Sequence, residues 1–281
     1  MLSSFVPKET LSSDSQTKKL VLLGTIDDKD AILQLEKTHF SSDILPISSF
    51  NLDAHNDVYY WGMNSLRQDL EKNPACKFNL IYPASETHIA KYKKHPTHMI
   101  VETPEMYSTI VKPYIETQKG DRMQWVRNIL HHGAEKERVV FQNQDYTILP
   151  DMKWDGRTME SLYLVCIVNR DDIASVRDLR SEDVPFLERV QKSILHQVPT
   201  KYGISSDQLR LYIHYQPSFY HFHIHVVNAD YTGVGHSILA GKAILLGEVI
   251  ETLKLLKGGY SEKTIVYEMS ESHDLWGQMK L

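Results

Sequence analysis

The chain has 281 residues, of which 42% are hydrophobic and 24% charged, a balance that is typical of a globular protein with a well-buried core. Its formal net charge of -5 argues against a broad basic surface for duplex nucleic acid, and no apolar run approaches the roughly 20 residues of a membrane span. The N-terminus lacks the basic and apolar regions of a signal peptide, and Cys76 and Cys166 lack the spacing of a metal site or disulfide framework. We therefore expect a soluble protein of the cytoplasm, with a further share in the nucleus.

The first third of the chain predicts a polar leader followed by a small α+β domain. Residues 1–19 are polar and rich in serine, which is typical of a frayed terminus. The segment "KLVLLGTIDDKDAILQLEKTHF" predicts a strand, an Asp-rich turn and a short helix. "DVYYWGM" and "KFNLIYPA" predict two further strands, so we assign residues 20–85 to an N-terminal domain.

A charged segment at residues 86–100 separates this domain from the rest of the chain. It is rich in histidine and interrupted by proline, and we expect its first part to be helical and the whole segment to act as a hinge. Two segments with helical spacing follow, and the second, "DRMQWVRNILHHGAE", has a predicted cap at Asp121 and a stop at Gly133.

Residues 101–281 predict a larger α+β domain with an antiparallel sheet. Its strand-like runs are joined by short, hairpin-like links, which argues against a doubly wound parallel sheet. The predicted helix "DVPFLERVQKSILHQVPTKYG" precedes the runs "LRLYIHYQP" and "FHIHVVN". The sequence contains no glycine-rich phosphate loop of the Walker or dinucleotide type.

The last of these runs carries His221, His223 and His225 at alternate positions. Side chains alternate between the two faces of a strand, so the three imidazoles share one face at a spacing of about 7 Å. The apolar residues between them must pack inward. We expect the imidazoles to line an accessible surface.

Three interpretations of this histidine face are open. The first is a half-exposed sheet face whose histidines carry no chemistry. The second is a zinc site, which would need a further ligand such as His214 or His236, although no other spacing in the chain supports it. The third is phosphate chemistry, because neutral imidazole is a good nucleophile at physiological pH and protonated neighbours stabilise phosphoryl oxygens.

The motif from His221 to Val227 resembles the signature of the histidine-triad (HIT) nucleotide hydrolases and transferases, in its hydrophobic positions as well as its histidines. From about residue 50 onward, the chain also resembles the scavenger mRNA decapping enzymes (DcpS). The matching blocks are "HNDVY", "YPASETHIAKY", "QWVRNIL…AEKERVVF", "LPDMKW" and "LYIHYQPSFYHFHIHVV". The resemblance implies an α+β fold, with a C-terminal histidine-triad domain and a smaller N-terminal domain.

The resemblance further implies a site for the 7-methylguanosine of an mRNA cap. Trp125 would stack on the positively charged base, Glu135 would accept hydrogen bonds from its Watson–Crick edge, and Met152 would close the opposite face. Without the resemblance, Trp125 would be a core residue and Glu135 a solvated charge. The other implied substrate-binding residues are Asp151 and Lys153 for ribose and phosphates, Asn56 and Tyr59 as a lid, Ser218 for a phosphate oxygen, and Lys91 and Lys242 as phosphate cations.

Lys242 stands where the family often has arginine, so a bidentate contact would be lost while the charge is kept. The resemblance implies a reaction that needs no metal and no cofactor. His223 would attack the phosphorus nearest the methylated nucleoside, form a covalent nucleotidyl–histidine intermediate and finally release 7-methylguanosine monophosphate. His221 and His225 would bind phosphate oxygens, and His214 would assist phosphate binding or proton delivery.

The implied substrates are cap dinucleotides and short capped oligonucleotides left by 3′-to-5′ mRNA decay. The implied assembly is a homodimer with an exchanged N-terminal domain, and we expect no membrane partner. One alternative is a non-catalytic, cap-binding or regulatory paralogue that works in a heterodimer. Another is a histidine-triad hydrolase of other dinucleoside polyphosphates, against which Trp125 and Glu135 argue, since an uncharged adenine edge has no use for that carboxylate.

Overall fold

The computed structural model describes residues 2–15, 17–38, 47–71, 73–231, 233 and 235–280 of the chain. It divides into two compact units, residues 1–95 and 96–281, and each unit has its own hydrophobic core. Among the described residues, no helix combines the length and apolar character that crossing a bilayer requires. The antiparallel sheets and interspersed helices confirm the predicted α+β class.

Among its described residues, the N-terminal unit combines a small antiparallel sheet, a separate hairpin and one α-helix. Its elements are β1 (Val6–Asp14), β2 (Lys19–Ile26), β3 (Lys29–Lys37), β4 (Ile47–Asn56), β5 (Tyr59–Leu66), β6 (Cys76–Ile81) and α1 (Glu86–Tyr92). The sheet has the order β1-β2-β3-β6, and β4 pairs with β5 in the hairpin. The core of this unit, against which α1 packs, consists of Leu11, Val21, Leu23 and Ile32.

The prediction of a frayed leader over residues 1–19 is wrong, because Val6–Asp14 forms the edge strand β1. Most of its polar side chains are exposed, while Leu11 is buried in the core. An edge strand with one solvated face is rich in polar residues without being disordered. The polar composition therefore reflects exposure of an ordered strand.

The short helix predicted after the Asp-rich turn is also wrong, because Lys29–Lys37 forms strand β3. Asp27 and Asp28 have positive φ angles of 48° and 60°, and they connect the paired residues Ile26 and Lys29. Two consecutive residues with positive φ form the hairpin turn that matches the twist of paired strands. This turn returns the chain along β2, and strand pairing takes precedence over the helical spacing.

The predicted hinge at residues 86–100 is divided between the two units. Ser85 caps α1 by accepting a hydrogen bond from the backbone N–H of His88, so the first half of the segment is an ordered helix of the N-terminal unit. The second half belongs to a strand, Thr97–Glu102, of the C-terminal unit. The boundary therefore lies at residues 95 and 96 rather than at residue 85.

The C-terminal unit is built on a six-stranded antiparallel sheet. The strands of the unit, including two that lie outside this sheet, are β7 (Thr97–Glu102), β8 (Phe141–Gln142), β9 (Tyr146–Pro150), β10 (Tyr163–Val168), β11 (Leu209–His214), β12 (His223–Asn228), β13 (Ala243–Leu245) and β14 (Ile265–Ser270). Its helices are α2 (Pro104–Met106), α3 (Lys112–Thr117), α4 (Gln124–His131), α5 (Val184–Tyr202), α6 (Leu246–Leu255) and α7 (Trp276–Met279). The large sheet has the order β13-β11-β12-β10-β9-β8, and β7 pairs with β14.

The two faces of this sheet pack against different cores. Ile224 and Val226 of β12 belong to the main core, which also includes buried residues of α5 and α6. The prediction that the apolar residues between the histidines pack inward is therefore confirmed. The opposite face carries a smaller core in which buried residues of α4 pack on β9 and β10, namely Val126, Ile129, Leu130, Leu149 and Ile167.

Helix α4 positions the residues that follow it as well as those on it. It begins at Gln124 rather than at a cap on Asp121, because Asp121 lies in a preceding 3-10 turn. Gly133 follows its end with a φ of 70°, a conformation that favours glycine, so the predicted stop is confirmed. Helix α4 thus lies on the face of the sheet to which His223 and His225 point.

Candidate active site

The three histidines of the motif lie together and are buried. His223 and His225 belong to β12, opposite Ile167 and Val165 of β10, and His221 comes just before the strand. His221, His223 and His225 are 5%, 3% and 5% exposed. The expectation of an accessible imidazole surface is therefore wrong, because the core beneath α4 and the loop before β12 cover this face.

The hydrogen bonds of His223 define which ring nitrogen carries the proton. Its Nδ1 lies 2.7 Å from the carbonyl oxygen of His221, and a carbonyl oxygen only accepts, so Nδ1 donates. Burial lowers the pKa of His223 to about 4, so the ring is neutral near pH 7 and Nε2 holds a lone pair. That Nε2 atom is buried and has no hydrogen-bond partner among the described residues. His223 therefore presents the nitrogen that a nucleophile requires.

The flanking histidines are held by their surroundings in different ways. His221 donates from Nε2 to the carbonyl oxygen of Val168 at 2.7 Å, and its Nδ1 lies 3.9 Å from a carboxylate oxygen of Asp171. His225 has its Nδ1 2.9 Å from the hydroxyl oxygen of Tyr163. Burial lowers the pKa of both histidines. Both rings are therefore fixed in place and mainly neutral.

His214, at the end of β11, extends the group to four imidazoles. Its Nε2 donates to the carbonyl oxygen of Ser237 at 2.8 Å, and burial lowers its pKa to about 4. The ring centroids of His214 and His225 are 4.2 Å apart, and those of His225 and His223 are 5.0 Å apart. The structure thus brings together the four histidines that the sequence predicted to be catalytic.

The side chains of the described residues contain no group of three or more histidines, cysteines or carboxylates that could hold a metal ion. The side chain of His236, named above as a candidate ligand, lies outside those described. The Nδ1 of His223 and the Nε2 atoms of His221 and His214 already face carbonyl oxygens. Those three nitrogens therefore cannot act as ligands without losing their hydrogen bonds.

A cavity of about 1010 Å³ opens beside these histidines within the C-terminal unit. Its size suits a ligand larger than a single nucleotide base. His214 and His225 line it, whereas His223 lies behind the lining. The predicted substrate-binding residues that also line the cavity are Trp125, Glu135, Asp151, Met152, Lys153, Ser218 and Lys242.

One end of the cavity carries an aromatic face, a carboxylate and an exposed apolar side chain. Trp125 lies on α4 and is 43% exposed, whereas its neighbour Val126 is fully buried. Glu135 follows α4 in the left-handed conformation and pairs with Arg138, which donates to the carbonyl oxygen of Pro150 at 3.0 Å. Met152 follows β9 and is 91% exposed. This end can hold a flat ring with polar edge groups.

The other predicted cavity residues carry charged and hydrogen-bonding groups. The carboxylate of Asp151 accepts a hydrogen bond from the backbone N–H of Lys153 at 2.9 Å, which fixes the turn that follows β9. Lys242 donates to the carbonyl oxygen of Gln216 at 2.8 Å, and burial lowers the pKa of its ammonium group. Ser218 is exposed in the loop before the triad. Their roles toward a ligand remain predictions.

The three remaining predicted residues belong to the N-terminal unit. Asn56 and Tyr59 pair with each other across the tip of the β4-β5 hairpin, and both are exposed. Lys91 is exposed in the last turn of α1, with its ammonium group 5.5 Å from the ring centroid of Tyr92. Their lid and phosphate roles remain predictions.

A buried carboxylate that sequence reasoning missed lies at the centre of the C-terminal unit. Glu102, at the end of β7, accepts hydrogen bonds from the hydroxyls of Tyr215 and Tyr267 at 2.6 and 2.8 Å. It also pairs with the guanidinium of Arg177 at 2.6 Å, and both side chains are fully buried. Nothing in the local sequence distinguishes Glu102 from an exposed surface carboxylate.

Glu102 reaches the loop before the triad through Gln216. The amide nitrogen of Gln216 donates to Glu102 at 3.3 Å, and its amide oxygen accepts from the hydroxyl of Tyr220 at 2.8 Å. The backbone carbonyl of Gln216 accepts from Lys242. The loop between β11 and β12 is therefore anchored at both ends, next to the histidines.

The antiparallel sheet and the buried, alternating histidines of β12 fit a C-terminal domain of the histidine-triad type. Residues 124–240 match the family described as scavenger mRNA decapping enzyme C-term binding, and residues 1–95 match the one described as scavenger mRNA decapping enzyme (DcpS) N-terminal. This chain belongs to the scavenger mRNA decapping enzyme family. The match begins at residue 1 and so includes the strand that the sequence predicted as a leader.

Several relatives are similar to this chain over nearly its full length. It is 39% identical to an m7GpppX diphosphatase of Schizosaccharomyces pombe, with 98% of this chain and 94% of the relative covered. It is 36% identical to the m7GpppX diphosphatase of Ascaris suum, with 98% and 93% covered. It is 33% identical to the m7GpppX diphosphatase of Homo sapiens, with 95% and 82% covered.

Proposed function

We propose that this chain is a scavenger decapping hydrolase that cleaves m7GpppX, in the form of cap dinucleotides and short capped oligonucleotides left by 3′-to-5′ mRNA decay. Relatives that carry the name m7GpppX diphosphatase support hydrolysis of the mRNA cap. The observation that carries the proposal is the neutral, buried His223, whose Nε2 lone pair lies behind a cavity with an aromatic face and a carboxylate.

The base is held at the Trp125 end of the cavity. An N7-methylated guanine carries positive charge, which is attracted to the electron-rich face of an indole ring. Glu135 accepts hydrogen bonds from the N1–H and N2–H₂ groups of the base, and a charged acceptor strengthens these bonds. Met152 covers the opposite face of the base, and Asp151 and Lys153 contact the ribose and phosphates.

In the first chemical step, Nε2 of His223 attacks the phosphorus attached to 7-methylguanosine. A phosphorus–nitrogen bond forms, and the bond from that phosphorus to the bridging oxygen of the next phosphate breaks. The electron pair leaves with the nucleoside diphosphate or shortened oligonucleotide. Water then attacks the same phosphorus, releases 7-methylguanosine monophosphate and restores the histidine.

The other histidines and the cations stabilise the charge that develops on oxygen. When Nδ1 of His225 accepts a hydrogen bond from the Tyr163 hydroxyl, its Nε2 carries the ring hydrogen and donates to a phosphoryl oxygen. His221 and His214 assist phosphate binding or proton delivery, Ser218 donates to a phosphate oxygen, and Lys242 supplies positive charge. These groups take the role that Mg²⁺ has in other phosphoryl transfers, so the reaction needs no metal.

We further propose a homodimer with an exchanged N-terminal domain. The β4-β5 hairpin exposes large apolar side chains between Phe50 and Met63, and contiguous apolar surface of this kind marks a protein interface. The short link between α1 and β7 acts as the hinge, Asn56 and Tyr59 close over the cap, and Lys91 contacts phosphate. If Asn56→Ala bound and cleaved cap dinucleotide as the wild type does, the lid would be excluded.

Sedimentation of the purified chain tests the assembly. We expect the mass of a dimer, and a monomer at all concentrations would contradict it. A stable complex only with a second, related chain would indicate a heterodimer with a paralogue. Fluorescent tagging tests the further proposal that the protein resides in the cytoplasm with a share in the nucleus.

Incubation with labelled 7-methylguanosine cap dinucleotide in EDTA tests the proposed function. We expect the wild type to release labelled 7-methylguanosine monophosphate, and His223→Asn to be slower by about 10⁴-fold or more, as when other enzymes lose a nucleophile. The matched control is His196→Asn, on the exposed side of α5, which should keep full activity.

Three other outcomes of this assay favour the alternatives. Activity that EDTA abolishes would revive the zinc interpretation. Cap binding without turnover in the wild type would indicate the regulatory paralogue. Faster cleavage of a diadenosine polyphosphate than of the cap would indicate a histidine-triad hydrolase of other dinucleoside polyphosphates.

A further inference from the structure

Phe219 connects the predicted base site to the predicted nucleophile. Its ring stacks on the imidazole of His223, with centroids 4.0 Å apart and an angle of 13° between the planes. Its other aromatic contact is Trp125, with centroids 4.8 Å apart and an angle of 76°. Trp125, Phe219 and His223 therefore form a continuous series of rings that runs from the cavity into the core.

Phe219 also separates His223 from the cavity. Trp125 and Phe219 both line the cavity, whereas His223 does not and is 3% exposed. The Nε2 atom of His223 is inaccessible to solvent. Phe219 therefore lies between the cavity and the imidazole of His223 and covers one face of that ring.

The local backbone allows the ring to move without the strand. Phe219 lies in the irregular segment between β11 and β12, and its side chain is only partly buried. Its neighbour Ser218 is exposed, while Tyr220 is anchored by its hydrogen bond to Gln216. Rotation of the Phe219 side chain therefore leaves β12 and the histidine hydrogen bonds in place.

We propose that Phe219 is a specificity-determining shield over the nucleophile. A base that stacks on Trp125 replaces the edge-to-face contact of Phe219, since base–aromatic stacking is generally the stronger of the two contacts. The displaced ring then leaves His223, and Nε2 becomes available to the phosphate. The substrates are therefore phosphoric anhydrides that carry a base able to stack on Trp125. Anhydrides without such a base leave Phe219 in place over His223 and react slowly. This inference rests on the proposed function for the location of the base.

Chemical modification of His223 tests the shield without using turnover. Diethyl pyrocarbonate reacts with unprotonated imidazole nitrogen, and fragmentation of the triad peptide in a mass spectrometer resolves its three histidines. The ligand is 7-methylguanosine itself, which has a base but no phosphate to cover His223. Exposed His196 serves as the internal reference for reagent activity.

We expect His223 of the wild type to react slowly alone and about 10- to 100-fold faster with saturating 7-methylguanosine, if the uncovered state is populated at about 1–10% without ligand. Phe219→Ala should react at the fast rate without the nucleoside and gain little when it is added. Phe219→Leu keeps most of the apolar volume against the core but lacks the flat ring. It should shift the rate in the same direction by a smaller factor, and it provides the test if Phe219→Ala does not fold.

A His223 rate that neither 7-methylguanosine nor substitution of Phe219 increases would overturn the shield. Cap hydrolysis measured on the same samples separates this result from failure of the proposed function. An inactive wild type whose His223 still responds to the nucleoside would contradict decapping and support the shield. An active wild type whose His223 reacts fast without ligand would support decapping and contradict the shield.

Discussion

The two units of this chain distribute polar and apolar side chains in opposite ways. In the β4-β5 hairpin of the N-terminal unit, Phe50, Tyr59 and Met63 are 75%, 72% and 71% exposed. In the C-terminal unit, the imidazoles of the triad are almost completely buried. Apolar surface left in water indicates a missing partner, whereas polar groups that are buried at a cost in solvation indicate chemistry. The hairpin therefore points to assembly and the triad to reaction.

We expect the largest loss of stability from substitution of Glu102, the buried carboxylate that anchors the loop before the triad. Glu102→Ala leaves the guanidinium of Arg177 buried without its carboxylate partner. We expect the free energy of unfolding of the C-terminal unit to fall by about 3–5 kcal/mol, as when other buried ion pairs lose one member. Urea denaturation measures the change. Glu116→Ala, which removes an exposed ion pair with Lys119, is the matched control, and equal losses in both variants would contradict a special role for burial.

The buried imidazoles should also make stability depend on pH. Burial lowers the pKa of His214 and His223 from 6.5 to about 4. Between these values the unfolded chain binds protons that the folded chain does not, so the free energy of unfolding falls as pH falls. We expect a slope of about 1.4 kcal/mol per pH unit for each histidine, measured by urea denaturation between pH 7 and pH 4.5.

Substitution of His223 tests its contribution to the pH dependence of stability. His223→Asn should remove its share of the slope, whereas His196→Asn, on the exposed face of α5, should leave the slope unchanged. A stability that is flat over this range in the wild type would show that the imidazoles are solvated in solution. The contrast between the two units would then disappear.

A smaller effect should follow from removing the exposed ring of the C-terminal unit. Trp125→Ala should weaken binding of 7-methylguanosine monophosphate by about 5- to 150-fold, which corresponds to the 1–3 kcal/mol of one base–aromatic stacking contact. Trp125→Phe retains a smaller ring and should lose less. Calorimetric titration measures both, and an unchanged dissociation constant for Trp125→Ala would place the base elsewhere.

We expect the smallest change in stability from substitution of an exposed apolar residue in the β4-β5 hairpin. Met63→Ser should change the free energy of unfolding of the N-terminal unit by no more than about 0.5 kcal/mol, because this side chain is exposed. It should weaken the proposed dimer by about tenfold, since a buried apolar contact would be lost. Asn64→Ser, on the opposite side of the same strand, is the control for sedimentation. Equal dissociation constants for both variants and the wild type would remove the hairpin from the interface.

Local patterns in the sequence predicted much of this arrangement. The alternation in His221, His223 and His225 requires only the twofold period of a strand, so it gave the shared face and the inward-packing apolar residues correctly. Gly133 marked the end of α4 for an equally local reason. The leader and the short helix failed because β1 and β3 are defined by their pairing partners in the sheet, which local composition does not record.

The sequence of strand β12 alone does not predict that the triad histidines are buried. It depends on α4 and on Phe219, which the fold places over His223, and a ring contact of this kind has no period in the sequence. Glu102 lies over a hundred residues before the loop that it anchors. Its surroundings of Arg177 and two tyrosines exist only once the sheet has formed.

The most direct test of the account is to trap the covalent intermediate on His223. Cap dinucleotide is labelled with ³²P either at the phosphorus attached to 7-methylguanosine or at the middle phosphorus, mixed with wild-type protein, and quenched rapidly in alkali, in which phosphohistidine is stable. We predict label on the peptide that contains His223 from the first substrate and none from the second. Full turnover with no labelled protein from either substrate would contradict a covalent intermediate on His223. Label on the protein from the middle phosphorus would contradict attack at the phosphorus attached to 7-methylguanosine.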